Sequence, residues 1–315
     1  MDRPRHLVSA ADVDRCLLDD LFALARAMEE VVRSRGSTDD LHGRVLATLF
    51  YEPSTRTRFS FEVAMMRLGG GVVGAENARE HSSGAKGETL EDTTRIVGSY
   101  ADGIVVRHYE EGAAARMAAV AEVPIINAGD GSHEHPTQAL LDLYTIEREL
   151  GRVDGLRIAL VGDLAHGRTV HSLCHMLTLY RDVRLYLVSP AATRMRADVL
   201  EVLSNRGVSY QEVDDLAAIA GEVDVLYQTR VQKERFASLD AYRRAHGRYV
   251  INRALMARLR PHAIVLHPLP RVDEISPEVD ADPRAAYFRQ ARNGLFVRMA
   301  LLTTLLAPQS VASSQ

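Results

Sequence analysis

Ser54, Thr55, Arg56, Thr57 and Arg58 follow the apolar run Leu46–Phe50 and lead into a helical pattern that begins at Phe59. A helix start presents free backbone N–H groups and partial positive charge, so it favours an anion. Pro53 removes one backbone donor and helps set the turn. Two guanidinium forks beside the turn match the oxygens of a phosphate. Taken alone, the segment also fits an ordinary Ser/Thr helix cap. Other polar clusters shift the balance, because they too fall directly after apolar strands: Arg107-His108, Gly129–Gln138, Gly162–Arg168, Thr229–Gln232 and His267–Arg271.

Each cluster offers a distinct chemistry. His135 and Gln138, one turn apart around Pro136, could hold a carbonyl and an amino group, or His135 could simply cap a helix. His133 and Glu134 lack further ligands at useful spacing, so no metal site is expected. Gly162–Thr169 superficially suggests a phosphate loop, but Arg168 stands where that pattern needs Lys; it reads as a tight turn that delivers Arg168 to a helix start. Arg230 and Gln232 after a buried strand fit a cleft better than a surface. In His267–Arg271 two prolines bracket Leu269, so the carbonyls of His267 and Leu269 lie near a rigid extended turn and can accept hydrogen bonds.

The elements that must position these residues are short apolar strands alternating with helices. Strands are expected at Arg44–Tyr51, Gly103–Arg107, Val123–Asn127, Leu156–Val161, Arg184–Val188, Val223–Gln228 and Ala263–Leu266. The pattern restarts after Gly151. Such alternation predicts an α/β chain of two doubly wound parallel-sheet domains joined by interdomain helices, with ligands at the carboxyl ends of strands. The expected division is 1–148 and 149–283, with a long apolar helix over 284–306 packing back on the first domain. The polar, glycine-bearing stretch Asn77–Gly87 reads as a mobile loop.

A chain of 315 residues, nearly half of them apolar, can bury two cores. A net charge of -4 argues against a nucleic-acid surface, so any anion-binding arginines must be gathered at one place. No run approaches the ~20 apolar residues of a membrane helix, and no apolar signal segment follows Met1, so a cytoplasmic protein is expected. Cys16 and Cys174 are expected to be free, buried thiols.

Together these motifs resemble the catalytic chains of the aspartate carbamoyltransferases, within the aspartate/ornithine carbamoyltransferase superfamily. The matching stretches are Phe50–Arg58, Lys86–Leu90, Val106–His108, Asn127–Gly131, His135–Gln138, Gly162–His171, Thr229–Arg235 and His267–Glu274, in order and at matching spacing over essentially the whole chain. Asp280–Gln290 looks like the plant-type branch. Two departures touch loop contacts: Ala85 precedes Lys86 where some members carry a second lysine, and Ser132–Glu134 replaces a more familiar triplet.

The resemblance implies transfer of the carbamoyl group of carbamoyl phosphate to the α-amine of L-aspartate, the committed step of de novo pyrimidine (UMP) biosynthesis. By motif, Ser54, Thr55, Arg56, Thr57, Arg107, His135 and Gln138 would bind carbamoyl phosphate, and Leu269 and Pro270 would position its carbamoyl end. Lys86, Arg168, Arg230 and Gln232 would hold aspartate. A homotrimer with shared active sites is implied, Ser82 and Lys86 reaching in from the neighbouring subunit. Glu52 would pair with Arg168 and Arg235 when the domains close. Arg56, Thr57, Arg107 and His135 would be catalytic, the last three as donors to the oxyanion. No metal or organic cofactor is needed. Association with regulatory chains or a dihydroorotase is left open. The nearest rival, an ornithine carbamoyltransferase, would need a Cys where Pro268 stands and acidic rather than basic second-substrate residues. A catalytically dead, anion-sensing subunit is opposed by the intact polar set.

Overall fold

The computed structural model describes residues 4–76, 78, 87–231, 238, 242 and 247–308. The chain divides into two compact units, Met1–Gly131 with Gly294–Gln315, and Ser132–Asn293. Each is a parallel sheet flanked by helices.

In the first unit, α1 (Arg15–Ser34) starts at Asp14, whose carboxylate accepts from the Leu17 N–H at 2.8 Å. Leu18, Leu21, Phe22, Ala25 and Met28 recur at helical spacing and are its buried residues. β1 (Val45–Phe50), β2 (Gly71–Glu76), β3 (Gly103–His108) and β4 (Ile125–Asp130) form one sheet in the order β2-β1-β3-β4. All its pairs are parallel. Helices α2 (Thr55–Arg67), α3 (Leu90–Gly98) and α4 (Ala113–Val120) connect the strands. Ala47, Ile104, Val106, Met117 and Ile125 belong to one buried cluster.

The second unit begins with α5 (Pro136–Leu150). β5 (Arg157–Val161), β6 (Arg184–Val188), β7 (Ser209–Val213), β8 (Val225–Gln228) and β9 (Ile264–Leu266) pair in the order β7-β6-β5-β8-β9. α6 (Arg168–Leu177), α7 (Ala197–Asn205), α8 (Leu216–Ile219) and α9 (Arg253–Met256) complete it. α10 (Tyr287–Leu306) contributes its residues through Asn293 to this unit and those from Gly294 to the first.

Three findings add to or differ from the sequence reading. The edge strands β2 and β7 carry no continuous apolar run and were not expected. Residues 132–148 group with the second unit, and buried hydrogen bonds give the reason: Asp142 of α5 accepts from Tyr227 on β8 at 2.7 Å, and Thr145 accepts from Asn293 at 3.0 Å. Cys16 is exposed on α1, while Cys174 is buried, and burial pushes its thiol pKa up to about 12. No helix among the described residues is long and apolar enough to cross a membrane.

Candidate active site

In the first unit the strand-to-helix turn after β1 is built to leave donors available. Ser54 occupies the N-cap position of α2, yet its side chain makes no capping hydrogen bond. The first N–H groups of a helix have no partner within it, so without that cap they remain open to an anion. The two neighbouring arginines are spent differently. Arg58 donates to Glu76 at 2.7 Å and lies 3.6 Å from Glu62, so its charge is already matched by carboxylates. Arg56 is solvent-exposed and has no ion-pair partner among the described residues; desolvation by the surrounding chain lowers its pKa. Thr55 opens the helix, and Thr57 is buried within its first turn.

Arg107 reaches the same end of the sheet because β1 and β3 are adjacent and in register, Phe50 opposite Arg107. Its Nη1 donates to the Ala128 carbonyl at 3.2 Å, and its Nε lies 3.6 Å from Glu52. The turn supplying that carbonyl is itself fixed. Asn127 donates to Val8 and Asp130 and accepts from the Gly129 N–H, and Asp130 accepts from the Gly112 N–H. Glu52, expected to pair with Arg168 and Arg235 on domain closure, lies beside Arg107 within its own unit.

In the second unit, the carboxyl ends of the adjacent strands β5, β8 and β9 carry the remaining groups. Gly162 opens the turn after β5 with a φ of 114°, and a Cβ there would meet the Thr229 backbone oxygen at 2.6 Å. This close approach puts Thr229 Oγ1 within reach of the Asp163 N–H at 3.0 Å. Arg168 is the first residue of α6, and Arg230 follows Thr229 directly after β8. His135 stands at the N-cap of α5, its backbone N–H held by Ser172 Oγ at 2.9 Å. Thr137 Oγ1 lies 3.4 Å from its Nδ1; a hydroxyl donating there leaves the ring proton on Nε2, where it can serve as a donor. Gln138 donates from Nε2 to Asp142 at 2.8 Å.

The turn after β9 is the most constrained. Leu269 has a φ of 54°, a region that a branched side chain rarely adopts. Its N–H donates to His267 Nδ1 at 2.8 Å, and His267 Nε2 faces Glu274 at 2.7 Å. Burial alone would raise the Glu274 carboxyl. The bond from His267 and the Val272 N–H outweigh that and hold it below the usual range. Ser82, Lys86, Gln232 and Arg235 lie outside the described residues.

The sequence reading singled out neither Asp142 nor Gln290, both fully or almost fully buried. The available signal for Asp142 was an acidic residue inside the apolar run Ala139–Ile146, four positions after Gln138.

Anion-ready groups and arginines at the carboxyl ends of parallel strands, in each of two α/β units, define a protein that holds small polyanions. The family model for the aspartate/ornithine carbamoyltransferase carbamoyl-P binding domain matches residues 5–148, and that for the Asp/Orn binding domain matches residues 154–305. The chain belongs to the aspartate/ornithine carbamoyltransferase family. It is 56% identical over 301 residues to the chloroplastic aspartate carbamoyltransferase 3 of Pisum sativum, covering 95% of this chain and 77% of that relative. It is 52% identical to the aspartate carbamoyltransferase catalytic subunit of Thermococcus gammatolerans, covering 95% and 96% of the two chains. A solved structure of Trypanosoma cruzi aspartate transcarbamoylase, in complex with carbamoyl phosphate and aspartate, superposes with a TM-score of 0.92 at 45% identity, covering 97% of this chain and 98% of that one.

Proposed function

We propose that this chain is an aspartate carbamoyltransferase: it transfers the carbamoyl group of carbamoyl phosphate to the α-amine of L-aspartate, giving N-carbamoyl-L-aspartate and phosphate. The observation that carries the reading is the uncapped start of α2 beside Arg56, which has no ion-pair partner among the described residues. This is a phosphate seat in a chain 45% identical to an enzyme solved with both substrates. Residues 1–148 are the carbamoyl-phosphate domain, in which Ser54, Thr55, Arg56 and Thr57 take the phosphate. Gln138, Leu269 and Pro270 take the carbamoyl end. Residues 149–283 are the aspartate domain, in which Arg168, Arg230 and Gln232 hold the two carboxylates.

The amine attacks the carbonyl carbon, forming a C–N bond. The tetrahedral intermediate carries negative charge on the former carbonyl oxygen, and Thr57, Arg107 and His135 donate to it. Its collapse breaks the C–O bond to phosphate, which leaves with the amine proton. Each such donor is worth ~10²–10³ in turnover, and alignment of two bound reactants supplies much of the rest. The step is the entry to pyrimidine synthesis.

A homotrimer with shared sites is supported by Phe59, Val63 and Met66, exposed and apolar at helical spacing along α2. Ser82 and Lys86 enter from the neighbouring subunit, and Glu52 meets Arg168 and Arg235 on closure. The compartment we infer is the cytoplasm, whereas the plant relatives are named chloroplastic. Labelled carbamoyl phosphate offered with L-aspartate or L-ornithine tests the substrate. Faster turnover of ornithine overturns the reading, and phosphate binding with no carbamoyl aspartate formed marks a sensor instead.

A further inference from the structure

One continuous hydrogen-bond chain runs through the buried part of the second unit. Asp142 Oδ1 accepts from Gln138 Nε2 at 2.8 Å and from Gln290 Nε2 at 2.6 Å, while its Oδ2 accepts from the Tyr227 hydroxyl at 2.7 Å. Gln290 Oε1 accepts from the His267 N–H at 2.9 Å. His267 Nδ1 accepts from the Leu269 N–H at 2.8 Å, and its Nε2 lies 2.7 Å from Glu274 Oε1.

Two backbone donors fix the direction of the links through Gln290 and His267. An N–H can only donate, so the Gln290 atom facing His267 is its carbonyl oxygen, and its amide nitrogen points at Asp142. Leu269 likewise requires an unprotonated Nδ1, so the His267 proton sits on Nε2 and goes to Glu274. Asp142 Oδ1 already receives one N–H from Gln290 and offers only lone pairs. The Gln138 atom facing it must then be the NH₂ group, and Gln138 Oε1 is turned the other way. No donor among the described residues reaches that oxygen.

A carboxylate is a costly choice for this position. Asp142 is fully buried, and Gln138, Tyr227 and Gln290 are neutral donors to it. An apolar side chain would fill the space at lower cost. What a carboxylate supplies is acceptors alone, which forbids either glutamine amide from flipping.

We propose that Asp142 is a positioning residue that acts through Gln138 directly and through Gln290 and His267 on Leu269, presenting the Gln138 Oε1 and the Leu269 carbonyl as two fixed acceptors for the N–H bonds of a carbamoyl group. The proposal rests on the carbamoyl reading of Gln138 and Leu269 given above. It separates the two ends of the substrate: the network lies wholly in the second unit, whereas the proposed phosphate contacts lie in the first.

The test is equilibrium binding of carbamoyl phosphate and of inorganic phosphate to the full chain and to Asp142→Asn, with thermal unfolding as the check on folding. The substituted amide offers an NH₂ where the carboxylate offered only lone pairs, and this releases the constraint on Gln138. Loss of a well-placed acceptor at a buried site corresponds to roughly 10–100-fold weaker carbamoyl-phosphate binding, with inorganic phosphate affinity unchanged. Equal loss for both ligands means a merely structural tie and overturns the proposal, as does unchanged carbamoyl-phosphate affinity. If Asp142→Asn does not fold, Gln290→Met reads the same ratio through the Leu269 branch, where a selective loss supports the proposal and a common loss overturns it. A native chain that binds carbamoyl phosphate no more tightly than phosphate instead removes the carbamoyl reading itself.

Discussion

Arg107→Ala is a change in which chemistry and folding can be separated. Its side chain donates to the Ala128 carbonyl at 3.2 Å and lies 3.6 Å from the Glu52 carboxylate. The first is worth about 1 kcal/mol, and the second, a partly solvated pair, up to about 1 kcal/mol. Loss of these two contacts, about 2 kcal/mol together, leaves a domain of ordinary stability almost wholly folded and lowers its unfolding midpoint by about 4–8 °C. If Arg107 donates to the developing oxyanion, turnover at saturating substrates falls ~10²–10³-fold. Partial unfolding cannot supply a factor of that size at 25 °C, so the two effects are resolved by measuring kcat and the melting curve on the same preparation. Arg107→Lys keeps the charge but loses the planar fork, and should fall between Ala and the native chain. Turnover within a few-fold of native in Arg107→Ala, with the fold intact, would refute the oxyanion assignment.

Acid should destabilise the fold before it protonates the carboxylates. Burial lowers the pKa values of His6, His108 and His171, so the native state binds fewer protons than the unfolded chain once pH drops below about 6.5. Stability is complete above that pH and declines below it. It declines again as Glu274 and Asp224, held low in the native state, are forced to protonate; a denaturant midpoint that rises between pH 7 and 5.5 contradicts this. Gly162→Ala should cost ~1–3 kcal/mol from backbone strain alone, and its Cβ would also push on Thr229 and so displace Arg230; native stability together with native aspartate KM would show that the turn is not under this constraint. If Lys86 serves a neighbouring subunit, mixing inactive Lys86→Ala and Arg56→Ala chains should restore activity in reassorted trimers. No recovery in mixed trimers confirmed by mass would place Lys86 in its own subunit's site.

The fold class was legible because β1, β3, β5, β6 and β8 are flanked by strands on both sides and are buried and largely apolar over most of their length. β2 and β7 are edge strands, and their residues are exposed or half-buried throughout. Gly71–Glu76 and Ser209–Val213 are therefore free to carry glycines and polar side chains, and the run that reveals an inner strand is missing from them. Residues 132–148, which the family model counts with the first domain, group with the second compact unit for a related reason. Helix periodicity reports that residues 136–150 are helical, but the partners that group them with later residues are Tyr227, Gln290 and Asn293, 85 to 148 positions away.

The same blind spot limits what the motifs could say about the site. Ser54–Arg58 reads as an anion seat because so many polar groups seldom follow a buried strand without a purpose, yet the sequence weighs Arg56 and Arg58 equally. Only the pairing of β2 beside β1 brings Glu76 to Arg58 and leaves Arg56 without such a partner among the described residues. Likewise the two prolines around Leu269 announce a rigid turn, but its hydrogen bonds come from Gln290 and Glu274. A motif thus singles out groups suited to a ligand, because their chemistry is unusual where it stands. It does not name the groups that aim them. Those are chosen by contacts between distant segments, and their residue types, an Asp in a helix or a Gln in another, look ordinary until the strand order is known.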